Sequence, residues 1–203
     1  MTAELWAGDF GNEYTRRQEL TIESRKNLFE KALNRVYGIR SVLEFGANVG
    51  DNLKALRELL PDAVLAGVEL NADAAAVLAE SGVDATYNTS IQDWTSEEQF
   101  DLVLTRGLLI HISPSDLGKA YAAIYNASSR YILIAEYYSP TPIMIPYRGH
   151  DDQLWKRDFA GEMLHLYPRL KLIDCGFVSR HDPQYPQDDL NWFLLSKARM
   201  VTA

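Results

Sequence analysis

The sequence predicts an α/β protein: a three-layer sandwich with helices on both faces of a mostly parallel, seven-stranded sheet that carries an antiparallel edge strand. Three observations predict it. Five short apolar runs, from Val42 to Glu136, alternate with segments of helical periodicity, the signature of parallel strands joined by crossover helices. Runs such as Leu102-Val103-Leu104 are apolar on both faces, as a strand covered from both sides must be. The alternation then stops, and two strand-like runs follow each other across a Pro- and Asp-rich connection, which makes an antiparallel pair.

Each element has its own signal. Residues 1–20 are polar and aromatic, without a core pattern, and read as an N-terminal arm. Leu20–Tyr37 carries Ile22, Leu28, Phe29, Leu33 and Val36 at helical intervals and ends near Gly38. Val42–Phe45 is the first strand, and Asn52–Leu60 a helix stopped by Pro61. Val64–Glu69 is the second strand. Asn71–Glu80 is an Ala-rich helix with Asn71 as N-cap and Gly82 as its stop. Ala85–Asn88, Phe100–Thr105 and Tyr131–Glu136 are the next strands. Between the last two, a helix runs from Ser113 to Tyr125, with Ser113 as cap and Pro114 in the first helical position. Residues 137–152, with Pro140, Pro142, Pro146 and Gly149, read as a loop, and Gln153–Tyr167 as a helix. Leu170–Val178 and Asn191–Lys197 are the terminal strands.

Composition narrows the function classes. A chain of 203 residues with 47% hydrophobic content is expected to form one domain, 1–203, with a real core. A net charge of −8 argues against a nucleic-acid partner, which needs a basic face. No apolar run approaches the ~18 residues of a membrane span, and residues 1–6 lack the basic and apolar regions of a signal peptide, so a cytoplasmic protein is expected. The single cysteine, Cys175, excludes an internal disulfide and reads as a buried, inert thiol. The four histidines are scattered without metal-ligand spacing, so no metal is expected.

The chemistry starts at Ser41-Val42-Leu43-Glu44-Phe45-Gly46-Ala47-Asn48-Val49-Gly50. An apolar run ends in an acid, and a tight turn leads into a helix, the place where open α/β sheets bind nucleotide-like ligands. The next apolar run also ends in an acid, Glu69, nineteen residues past Gly50, the spacing at which a carboxylate takes ribose hydroxyls. The dinucleotide fingerprint fails: laid on Gly46, it requires glycine at 48 and 51, where Asn48 and Asp51 stand. An acid opening the helix repels a pyrophosphate, and no Gly-Lys-Ser/Thr loop is present. The ligand expected is a nucleoside without phosphates.

The pattern Glu44-x-Gly46-x-Asn48-x-Gly50, followed by Glu69, resembles the Rossmann-like (class I) S-adenosylmethionine-dependent methyltransferases, with Asn48 in place of a third glycine. Asn tolerates a left-handed backbone better than most residues. Asp101 after Phe100, the segment Gly107–Ile112 and Ser90-Ile91-Gln92-Asp93 also resemble that family over about residues 40–136. A closer likeness spans nearly the whole chain. Trp6–Arg17, Ile145–His150 and Trp155–Glu162 resemble segments of the methylases associated with pseudaminic acid (nonulosonic sugar) biosynthesis.

The resemblance implies S-adenosylmethionine as cofactor, with Glu44, Gly46, Asn48, Gly50, Glu69, Leu70, Ser90, Ile91, Thr105 and Gly107 around it. Ile91 is either an adenine face or ordinary core, and Asp93 either accepts from the adenine amino group or caps the Trp94 turn. His111 is either a general base beside the methyl donor or a structural histidine. The arm, with Phe10, Tyr14, Arg16 and Arg17, is either a free tail or a lid over the cofactor, Phe10 and Tyr14 against it and Tyr14 beside the chemistry. Substrate identity is expected in the insertion 137–167. There Tyr137, Arg148, His150, Lys156 and Arg157, with Arg16 of the arm, are candidate substrate contacts; the cations suit a carboxylate or phosphate. Asp158 and Glu162 share a helix face and hold an amine or cation, or only face solvent.

The expected reaction is in-line transfer of a methyl group to O or N of a small polar metabolite, with a nonulosonic sugar or its precursor as first choice. The absence of an Asn-Pro-Pro-Tyr segment after the fourth strand disfavours planar amide or base nitrogens. The alternatives are another small carboxylate or amine of natural-product metabolism, or a cofactor-binding protein without catalysis. The expected partner is a small molecule rather than a nucleic acid or membrane, for a monomer or homodimer.

Overall fold

The computed structural model describes residues 2–15, 20–147 and 154–197, with the side chains of residues 2, 3, 14 and 15 left aside. Seven strands form the main sheet: β1 (Ser41–Phe45), β2 (Val64–Val68), β3 (Ala85–Tyr87), β4 (Phe100–Arg106), β5 (Ser128–Glu136), β8 (Leu170–Val178) and β9 (Leu190–Lys197). Their order is β3-β2-β1-β4-β5-β9-β8. The first five strands in space, β3 to β5, are joined by four parallel pairings; β9 runs antiparallel to β5 and to β8, which lies outermost. The chain thus has a Rossmann-like methyltransferase fold, with its strand order reversing between β1 and β4.

Side chains alternate across the strands and sort into two cores. Val42, Leu65, Leu102, Leu104 and Leu133 meet Leu28 and Phe29 of α3 (Ile22–Leu33), Leu53 and Leu56 of α4 (Asp51–Leu59) and Leu78 of α5 (Ala72–Ala79). Leu43, Phe45, Val103 and Ile132 face the other way, onto Tyr121 and Ile124 of α6 (Leu117–Ala127) and Phe159 and Met163 of α7 (Phe159–Leu166). Thr21 caps α3 by accepting from the Ser24 amide at 3.1 Å, and Asn71 caps α5 from the Ala74 amide at 2.9 Å.

The arm folds as two short helices, α1 (Thr2–Ala7) and α2 (Asp9–Thr15), hydrogen-bonded through the Trp6 carbonyl and Asn12 to Asn71 after β2. Three expectations change. Helix α6 begins at Leu117 rather than at Ser113, because the Ser113 hydroxyl is spent on the Asp116 carboxylate at 2.8 Å in a turn that precedes the helix. The insertion is not a loop followed by one helix. Ile143–Met144 (β6) pairs antiparallel with Trp155–Lys156 (β7), and α7 starts only after Asp158, which accepts from the Gly161 amide at 2.8 Å. Cys175 is exposed, since it sits on the outermost strand where little covers it. Among the described residues no helix is long and apolar enough to cross a membrane.

Candidate functional site

A cavity opens where the strand order reverses, at the carboxyl ends of β1, β2 and β4. Gly46 and Asn48 line it after β1, Glu69, Leu70 and Asn71 after β2, Ser90 and Ile91 after β3, and Gly107, Leu108 and His111 after β4. Trp6 and Gly11 of the arm roof it. It encloses about 810 Å³, counting the space at its mouth.

The turn after β1 is shaped by its backbone. Gly46 (φ 72°) and Ala47 donate their amides to the Val68 carbonyl at 2.8 and 3.0 Å. Asn48 follows at φ 48°, the one residue other than glycine with a left-handed backbone among the described residues. A Cβ on Gly46 would stand 2.8 Å from Leu108 Cδ1, so the turn and the segment after β4 touch and close one wall.

Glu69 lies at the cavity floor. Its Oε2 accepts from the Asn48 amide and its Oε1 from the Asn71 amide, both at 2.8 Å. Burial raises its carboxyl above the usual range, against the pull of the Asn71, Asn48 and Leu70 amides. Two fixed oxygens with lone pairs to spare face a mostly apolar cavity, a geometry suited to a pair of vicinal hydroxyls. Asn88 steadies this turn by donating to the Glu69 and Leu70 carbonyls at 2.8 and 3.0 Å.

Glu44 stands behind the turn, fully buried and outside the lining. Its Oε1 accepts from Asn52 Nδ2 at 2.6 Å, and Asn52 Oδ1 accepts from Arg25 at 2.6 Å. Burial pushes Glu44 up to about 7, opposed by Asn52, Arg25 and Arg106. Arg106, which had no sequence assignment, reaches Gln187 at 3.3 Å on this same face. Asp51 opens α4 and pairs with Lys54 at 3.0 Å and Arg25 at 3.7 Å. Gly50 and Thr105 are likewise buried behind the wall.

The segment after β4 hangs on Glu136. This carboxylate ends β5 and accepts from the Leu108 and Leu109 amides at 3.1 Å and the Ile110 amide at 3.4 Å. Burial pushes it up to about 7, against those amides and the Thr105 hydroxyl. The turn it holds ends in His111, which is buried, its ring 4.5 Å from that of Trp6 and 5.2 Å from that of Tyr147. Phe10 extends the group, 5.1 Å from Trp6 and 6.4 Å from Tyr147. Phe10 therefore backs the roof rather than lining the cavity.

Several predicted residues are occupied elsewhere. Arg157 donates to Glu162 at 2.8 Å, and the Tyr121 hydroxyl donates to the other Glu162 oxygen at 2.7 Å. Asp158 caps α7, so both acids have structural partners. Asp93 lies exposed off the cavity; its carboxylate accepts from the Ser90 hydroxyl at 2.7 Å, which in turn caps the 3-10 turn Ile91–Asp93. Ile91 lines the cavity and also joins the core. Lys156 lies 5.1 Å from the Tyr137 ring. Arg16, Arg17, Arg148 and His150, and the side chain of Tyr14, lie outside the described residues. Among the described residues no three His, Cys, Asp or Glu side chains converge as metal ligands.

Sequence reasoning missed Trp6, Asn71's link to the arm, Glu136 and Tyr147. For Glu136 the signal was present: Tyr131–Glu136 is a third apolar run that ends in an acid, like those ending in Glu44 and Glu69.

No family model matches the sequence, and no curated protein matches it either. Solved structures do match in fold. An S-adenosylmethionine-dependent methyltransferase from Clostridium acetobutylicum is 11% identical at TM-score 0.67, over 94% of this chain and 98% of its own. The Burkholderia thailandensis 1,6-didemethyltoxoflavin-N1-methyltransferase, solved with S-adenosylhomocysteine, is 18% identical at 0.68, over 96% and 84%. The sugar N-methyltransferase KedS8 from Streptoalloteichus is 15% identical at 0.67, over 95% and 94%.

Proposed function

We propose that the chain is an S-adenosylmethionine-dependent methyltransferase acting on an oxygen or nitrogen of a small polar metabolite. The observation that carries this reading is Glu69, its oxygens fixed by the Asn48 and Asn71 amides at the floor of the cavity. The acid suits ribose hydroxyls, while Asp51 at the start of α4 opposes a phosphate-bearing ligand. The methyltransferases of the same fold support it, and one of them is named a sugar N-methyltransferase.

When bound, S-adenosylmethionine supplies a sulfonium methyl open to in-line displacement. The chain's residues do the rest. Glu69 holds the ribose, Leu70, Ser90 and Ile91 flank the adenine, and the Gly46–Asn48 turn and Gly107 let backbone approach the methionine portion. Glu44 and Thr105 support that wall from behind. The roof of Trp6, Phe10 and Tyr147 excludes water and fixes the His111 ring, placed to take the proton of a hydroxyl or ammonium acceptor. A carboxylate acceptor needs no base. Lys156 and Tyr137, with Arg148, His150 and the arm's Arg16 and Tyr14, are proposed for the acceptor side; a nonulosonic sugar acid or its precursor fits such cations.

Calorimetric titration with S-adenosylhomocysteine is expected to show one site, and NAD none. Incubation with S-adenosylmethionine and a panel of nonulosonic sugars, amino sugars, small acids and amines is expected to give one product heavier by a methylene. A folded chain that binds no S-adenosylhomocysteine would overturn the reading.

A further inference from the structure

Asn71 is almost fully buried, and every polar group it has is used on a different piece of the site. Its amide donates to Glu69 Oε1 at 2.8 Å. Its Oδ1 caps α5 from the Ala74 amide at 2.9 Å. Both protons of its side-chain amide go to the arm, one to the Trp6 carbonyl at 3.2 Å and one to Asn12 Oδ1 at 2.6 Å. One residue thus joins the acid on the cavity floor to the helices that form the roof.

The fit around it is close. A Cβ on Gly11 would overlap the Trp6 carbonyl and stand 2.9 Å from Asn71 Nδ2, so α1 and α2 meet at this point only because residue 11 has no side chain. Trp6 and Gly11 are themselves cavity walls, and the Trp6 ring rests on His111. Loss of the Asn71 bonds loosens the roof where Trp6 and Gly11 close the cavity, and with it one support of the His111 ring.

We propose that Asn71 is a positioning residue that ties the N-terminal arm to the Glu69 turn, so that release of these two side-chain hydrogen bonds governs how fast the nucleoside leaves. What Glu69 holds rests on the function proposed above; the tie itself does not. Asn71→Asp keeps the cap and the main-chain donor but turns two donations into an anion facing two oxygens. Gly11→Ala drives the arm off from the other side, and Asn12→Ala removes one of the two bonds without touching α5 or Glu69.

The test is hydrogen exchange of the arm amides in the ligand-free protein, with S-adenosylhomocysteine dissociation followed by stopped flow. Asn71→Asp and Gly11→Ala are expected to speed exchange across residues 5–13 and to raise the dissociation rate roughly tenfold or more, Asn12→Ala less. Exchange in α5 and the melting temperature of Asn71→Asp should stay near wild type, which general destabilisation would not allow. Unchanged arm exchange in both variants would overturn the tie. Faster exchange with an unchanged dissociation rate would overturn its control of release. If the wild-type chain binds no S-adenosylhomocysteine, the functional reading and the release step fall together, while exchange still decides the tie.

Discussion

Glu44, next to last in β1, and Glu136, last in β5, lie on opposite faces of one sheet, and burial dominates both. Each carboxyl is pushed up to about 7. The folded chain therefore keeps protons that the unfolded chain releases near 4.5. The stability this contributes is fully present below that value and is lost as pH rises through about 7. Between these limits each group tilts stability downward by up to ~1.4 kcal/mol per pH unit. Glu44→Gln keeps the shape and the acceptor for Asn52 but cannot titrate. Urea denaturation from pH 4.5 to 7.5 should give a flatter stability profile for this variant than for wild type. Two parallel profiles would mean that Glu44 titrates alike in both states.

At the scale of elements, the segment from Gly107 to His111 has almost no fold of its own. It is three residues of 3-10 turn, and its position comes from one carboxylate that accepts three successive amides. Glu136→Gln puts a donor where at least one of these amides needs an acceptor. It should cost about 1–3 kcal/mol in chemical denaturation. Exchange should rise at the amides of 108–110 first. Protection there equal to wild type would show that the surrounding core holds the turn instead. The same elements explain what was legible in the sequence. Strands β1, β2, β4 and β5 were readable because their burial on both faces leaves continuous apolar runs. The Glu69 turn was readable because Asn48, Gly46 and the two acids have fixed spacing. The start of α6 was not, because the Ser113 hydroxyl, read as a cap, bonds the Asp116 carboxylate instead of a helix amide, which only the folded turn shows. The hairpin β6–β7 is two residues a side, too short for any periodicity. Roof and latch were hidden for a stronger reason. Asn71 and Asn12 are 59 residues apart, and only the folded chain shows that the cap of one helix also holds another.

For the whole molecule, the turn, the roof and the charge act together to select one class of ligand. A net charge of −8 leaves no general attraction for phosphates, and Asp51 at the start of α4 holds Lys54 and Arg25 in ion pairs, away from a pyrophosphate. Glu69 in turn rewards any ligand with free ribose hydroxyls, NAD included, so selection rests on the helix start and not on the ribose acid. Ligand-linked melting separates the two contributions. At a hundredfold excess over its Kd, S-adenosylhomocysteine adds ~2.7 kcal/mol to stability. For a chain of this size that raises Tm by roughly 5–10 °C. NAD at the same concentration should leave Tm unchanged in wild type. It should begin to stabilise Asp51→Asn, in which the carboxylate is gone, Lys54 and Arg25 are released and Glu69 is untouched. A wild-type shift with NAD equal to that with S-adenosylhomocysteine would place the selectivity elsewhere, and would return the turn after β1 to a general nucleotide site.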